Sequence, residues 1–170
     1  MITNPFPEPT TLIQHALSQL HLAAIDDTVS DDPSLPRPWD PASCPPTLRR
    51  EVWYWLDDVA AWINTDHNWQ PDHAVPGCWP AHPHIANELA VVACQRLAAG
   101  RALAPDRLDD WHRHTLPQFL DRMTNELHMG CPPGKHRDWP AASRHRQYTT
   151  ADAVDRRRKA FAVDTDGRSE

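Results

Sequence analysis

The chain has 170 residues and a net charge of -6, with 18 Pro, 8 Trp and 11 His against 5 Gly, 3 Phe and 2 Tyr. That length suits one domain with a single core, and aromatic packing must rest mainly on indole. No window approaches the eighteen or so apolar residues of a membrane span, and the acidic balance excludes a domain built as a basic nucleic-acid surface.

Charge is unevenly spread: residues 1–46 carry six acids and one base, residues 47–136 eleven acids and eight bases, and residues 137–170 six acids and eight bases. The four cysteines, Cys44, Cys78, Cys94 and Cys131, are widely spaced, and Met1 to Pro9 shows neither a basic region nor an apolar run. They read as reduced thiols of a cytoplasmic protein rather than as a disulfide framework.

In chain order, Thr10 or Thr11 caps a first helix whose apolar face is Leu12, Ile13, Ala16, Leu17 and Leu20. From Ile25 to Pro46 Asp26, Asp27, Asp31 and Asp32 together with six prolines rule out both a helix and a sheet ladder. This stretch is a linker or strap, with Trp39 as its expected anchor. The second helix is the most strongly patterned: Leu48, Val52, Trp55, Leu56, Val59, Trp62 and Ile63 recur at three- and four-residue steps from Pro46-Thr47, with Trp53 and Tyr54 widening the face. Residues 65–83 read as loop.

Pro83 opens a third helix that is expected to end before Gly100, burying Ile85, Leu89, Val92 and Leu97 with the alanines between them. Cys94 lies among those alanines as packing. A fourth helix starts at Pro105, and Leu108, Trp111, Leu116, Phe119, Leu120, Met123 and Leu127 continue its period. Pro117 falls inside that run, which predicts a break near Thr115, a cap by Thr115, and a new helix from Leu116 to about His128. Cys131 to His136 reads as a tight turn, Trp139 as an anchor for the polar stretch 137–148, and Thr149 to Phe161 as an isolated helix of marginal stability. Three segments follow: 1–46, an N-terminal helix with an acidic Pro-rich linker; 47–136, the helical core domain; 137–170, a polar, partly disordered tail. The expected fold is all-α, a small irregular bundle of four or five helices.

Chemistry is restricted to a few residues. The chain has no phosphate-binding glycine loop, H-E-x-x-H, G-x-S-x-G or C-x-x-C, so no catalytic or cofactor-binding residue is assigned. Structural zinc needs four N or S ligands, and a pair across a short turn supplies two of them from one segment. Cys78-x3-His82 and Cys131-x4-His136 are two such pairs. They meet if the third helix and the proline-interrupted helix run antiparallel, with His114 competing for one position. Arg144, Arg146, Arg156, Arg157, Arg158 and Lys159 offer cations to nucleic-acid phosphates, although a charge run is more often a solvated face.

The run C-W-P-A-H-P at 78–83, then W-H-R-H-T-L-P-Q-F at 111–119, then C-P-P-G-K-H at 131–136 resembles a family of uncharacterised helical proteins of plasmids, phages and integrated elements in high-G+C bacteria. The resemblance covers about residues 47–136 and rests on Trp79, His82, Pro83, Trp111, His114, Pro117, Cys131 and His136. Cys78 stands where that family's pattern has a second tryptophan, and His84 where it has an acid. The resemblance therefore implies His82, His114, Cys131 and His136 as the ligand set, with Cys78 as the alternative, and implies a mobile-element context without an activity to transfer. The expected function is a non-enzymatic accessory or interaction protein stabilised by zinc. A nucleic-acid-binding factor using the Arg-rich tail is the second expectation, and a small hydrolase on Cys131 and His136 the third.

Overall fold

The structure is a computed structural model, and it describes residues 2–25, 34–127, 131, 136–137 and 141–166. The described residues are helical with no strand, an all-α small bundle. They fall into two units, Met1–His136 and Arg137–Glu170. No helix among the described residues is long and apolar enough to cross a membrane.

In the first unit α1 spans Thr11–Ile25, α2 Pro46–Asp66 and α3 Pro83–Gly100. Prolines open α2 and α3, where the missing N–H would have no intrahelical partner. All seven residues predicted for the apolar face of α2 are buried, from Leu48 to Ile63, and α3 buries its predicted leucines, valine and alanines against them. Ile13 and Ala16 of α1 complete this core. α2 runs on to Asp66, and the segment after it is held by a paired amide contact. Asn64 Nδ2 donates to the Val75 carbonyl at 2.9 Å, and the Val75 N–H donates to Asn64 Oδ1 at 2.8 Å.

Four expectations are corrected. Trp39 is not the anchor of the strap, being 38 % exposed; Pro38, Pro41 and Cys44 are buried instead. Gly100 is the last helical residue rather than the one beyond the end. The helix does not break near Thr115, nor does Thr115 cap a new one. α4 (Asp106–Asp110) passes through a π-helical turn, Trp111–Thr115, into α5 (Leu116–Leu127), with helical dihedrals at Asp110, Trp111 and Leu116 where the elements join. The Leu116 N–H reaches back five residues to the Trp111 carbonyl. One extra residue in this turn lets the ladder accommodate Pro117, which has no N–H to give.

The N-terminal residues, which show no helical period, lie across α2. Trp55 Nε1 donates to the Pro7 carbonyl at 2.9 Å and Trp62 Nε1 to the Asn4 carbonyl at 3.1 Å, and Phe6 meets both indoles edge-on. Asp66 closes this segment by accepting both the Asn4 backbone N–H (2.7 Å) and its side-chain amide (2.6 Å).

α3 and α5 are antiparallel. His84 Nε2 lies 2.9 Å from the Glu126 carboxylate and Glu88 accepts from both Nε and Nη2 of Arg122, so the pairs run upward on one helix and downward on the other. This geometry sets the start of α3 beside the end of α5.

The second unit contains α6 (Ala142–Tyr148) and α7 (Ala151–Asp166), a helix pair with no buried residue on α6. The Arg157 guanidinium lies 3.6 Å from the Tyr148 ring centroid. α7 runs from Ala151 to Asp166, further than the expected Phe161. The Trp139 anchor and the turn at residues 132–135 lie outside the described residues.

Candidate metal centre

Two segments bring the site together. Cys78 precedes a 3-10 turn, Trp79–Ala81, and His82 is both the residue after that turn and the N-cap of α3. Trp79 fixes the turn to α2: it is buried, its ring centroid is 6.0 Å from that of Trp53, and its Nε1 donates to Asp57 Oδ1 at 3.3 Å. The restricted backbone of Pro80 and Pro83 on either side of His82 leaves little freedom to its main chain. Cys131 and His136 come from the chain beyond α5, which the antiparallel packing delivers to the same end of the bundle.

The ligand atoms of Cys78, His82, Cys131 and His136 all lie within 4.8 Å of one another. Cys78 Sγ is 3.4 Å and Cys131 Sγ 3.3 Å from His82 Nε2, and Cys131 Sγ is 3.8 Å from His136 Nδ1. These spacings can be tested against a metal. Bond lengths of about 2.3 Å to sulfur and about 2.05 Å to nitrogen place S and N ligands about 3.6 Å apart on a tetrahedron. The three observed separations bracket that value, so these thiol–imidazole pairs already stand close to the spacing that a shared tetrahedral ion requires. The four residues could hold a metal ion.

Their environment is graded from inside to outside. His82 is buried, Cys78 and Cys131 are half-buried, and His136 is exposed. Burial lowers the pKa of His82, helped by the neighbouring His136 and His84, and this keeps the imidazole in the neutral form that binds metal. The Cys78 thiol is raised, first by burial and then by its hydrogen bond with Cys131. A metal ion reverses that preference, since it binds the thiolate and releases the proton.

Of the sequence-predicted set, His82, Cys131 and His136 are brought together and His114 is not. His114 is exposed in the π-helical turn, and Cys78 fills the fourth position. The x3 spacing between Cys78 and His82 was the signal for this: a residue four positions from a ligand on the same short turn is placed by local geometry, whereas His114 needed a broken helix to swing it inward. No family model, curated protein or solved structure matches the chain.

Cys94 is the contrasting thiol. It is half-buried on α3, packed against the core, and burial pushes its pKa up to about 12. It is a small hydrophobe without ligand partners of the kind Cys78 has.

Proposed function

We propose that this protein is a non-enzymatic accessory or interaction module of a bacterial mobile element whose helical fold is stabilised by a structural zinc ion. The observation that carries the zinc reading is the four-membered Cys2His2 donor set, whose ligand atoms all lie within 4.8 Å of one another. Mixed thiolate and imidazole ligands suit zinc, while calcium and magnesium take oxygen. Catalytic zinc keeps a coordination position open, usually with three protein ligands, so a set of four favours a structural role. For the same reason the Cys131–His136 pair reads as part of a ligand shell rather than as a nucleophile with its base. The mobile-element context rests on the resemblance of residues 78–83, 111–119 and 131–136, and reduced zinc-binding thiols accord with a cytoplasmic location.

Metal analysis of protein purified without a histidine tag tests the zinc reading. The expected result is one zinc per chain, reduced in Cys78→Ser and Cys131→Ser and retained in His114→Ala. Substoichiometric metal together with melting unaffected by a chelator would overturn it.

A second reading, nucleic-acid binding, has an observation behind it: Arg144, Arg146, Arg156, Arg158 and Lys159 are exposed on α6 and α7. Lys159 is, however, paired with Asp155 at 2.9 Å and Arg157 is stacked on Tyr148, which leaves fewer cations for phosphate. Binding that weakens steeply with salt and disappears on deleting residues 144–168 would establish it; binding indifferent to that deletion would remove it.

A further inference from the structure

Away from the metal centre, Arg96 near the end of α3 is enclosed by aromatic rings. Its guanidinium carbon lies 5.2 Å from the Phe6 ring centroid, 5.6 Å from Trp62 and 5.5 Å from Trp111. The His67 ring borders the same two indoles, with centroids 4.3 Å from Trp62 and 5.8 Å from Trp111, and His112 on the π-helical turn lies 5.4 Å from His67.

The polar atoms here are unmatched. Arg96 Nε and His67 Nε2 are both buried without a hydrogen-bond partner among the described residues, as is Oδ1 of the adjacent Asn68. Among the described residues no carboxylate is within ion-pair distance of Arg96. The nearby acids are engaged elsewhere: Asp66 with Asn4, Asp109 with Arg113 at 2.7 Å, and Glu8 with Arg101 at 3.6 Å. The indole N–H groups are also taken, Trp62 by Asn4 and Trp111 by the Val92 carbonyl at 3.1 Å. Cation–π contact recovers part of the cost of burying a guanidinium, but a half-buried cation normally also has an anion or a set of acceptors.

We propose that Arg96, His67 and His112 form a binding site for a phosphate group. The guanidinium supplies charge and planar donors suited to a tetrahedral oxyanion, and the two imidazoles supply the remaining N–H donors. Both imidazoles are within electrostatic reach of Arg96: their pKa values are lowered first by burial, with the Arg96 charge among the further causes.

The experiment titrates sodium phosphate, sodium acetate and sodium chloride at matched ionic strength into the full chain and follows the His67 and His112 ring nitrogens by NMR. Saturable shifts with phosphate, weaker ones with acetate and none with chloride are expected, and Arg96→Met should weaken phosphate binding about tenfold or more, the scale of a lost charge-assisted hydrogen bond. Arg96→Lys should keep part of the affinity. Equal responses to all three salts, acetate binding as tightly as phosphate, or unchanged affinity in Arg96→Met would each overturn the proposal, the first leaving water as the partner of these atoms. If Arg96→Met does not fold, His112→Gln on the exposed turn decides: weakened phosphate binding supports the site and unchanged binding refutes it.

Discussion

His82 holds two positions at once, N-cap of α3 and the ligand atom touched by both thiols. Its side chain accepts no capping bond from the first backbone N–H groups of the helix, so replacing it removes metal affinity without removing a cap. His82→Ala and Cys131→Ser are expected to lower the melting temperature of the zinc-loaded protein by roughly 5–15 °C, a scale set by several kcal/mol of metal-linked stability in a chain of this size. His114→Ala should leave it unchanged within experimental error; differential scanning calorimetry in the presence and absence of chelator separates the three. The imidazoles also set a pH dependence. His67 and His112 are held below the ordinary histidine pKa, principally by burial, so the unfolded chain binds more protons than the folded one below about 6.5. Stability in phosphate-free buffer should therefore fall as pH drops from about 6.5 through the folded values, and His67→Gln should flatten that fall in melts recorded between about pH 5 and pH 8.

At the scale of the element, the turn at Trp111–Thr115 governs the phase of α5. Trp111, Leu116, Phe119, Leu120 and Met123 are all buried on one side. The step of five between Trp111 and Leu116 is one longer than an α-helix allows for a common face, and the π-helical turn absorbs it. Inserting one alanine after Thr115 should exceed the single extra residue that the π-helical turn absorbs and rotate α5 by about 100° relative to α4. Phe119 and Met123 would leave the core and Arg122 would leave Glu88, so urea denaturation should show a loss of several kcal/mol. The step of five was visible in the sequence, but Pro117 suggested a break, because a proline more often ends a helix than shifts its register. α2 was legible from Leu48 to Ile63 because its steps of three and four admit no alternative. The N-terminal strap was not: Asn4 and Pro7 contribute backbone carbonyls to Trp62 and Trp55, and every residue has a carbonyl, so no side-chain pattern marks them. Trp39 misled for the related reason that its neighbours Pro38 and Pro41 take the buried positions.

For the molecule as a whole, three of the four residues gathered in the candidate metal group could be named from spacing and resemblance, while the choice between Cys78 and His114 required the path of the chain through Pro117. The core that supports the centre is continuous from Ile13 to Met123. Leu89, at its centre and fully buried, is expected to cost about 2–5 kcal/mol when replaced by alanine, measured by denaturant unfolding of the zinc-loaded protein.

The metal centre also joins residues far apart along the chain: His82 and Cys131 are separated by 49 positions. A metal ion held by both would close α3, the π-helical turn and α5 into a ring. By the loop-entropy model used for disulfides, such a closure restricts the unfolded chain by about 4 kcal/mol. The connection between α3 and α4 carries Leu103 fully exposed to solvent and is the natural place for a protease to open that ring. A single cut there, followed by mild denaturation, should leave two fragments that migrate together while zinc is bound and separate once it is chelated.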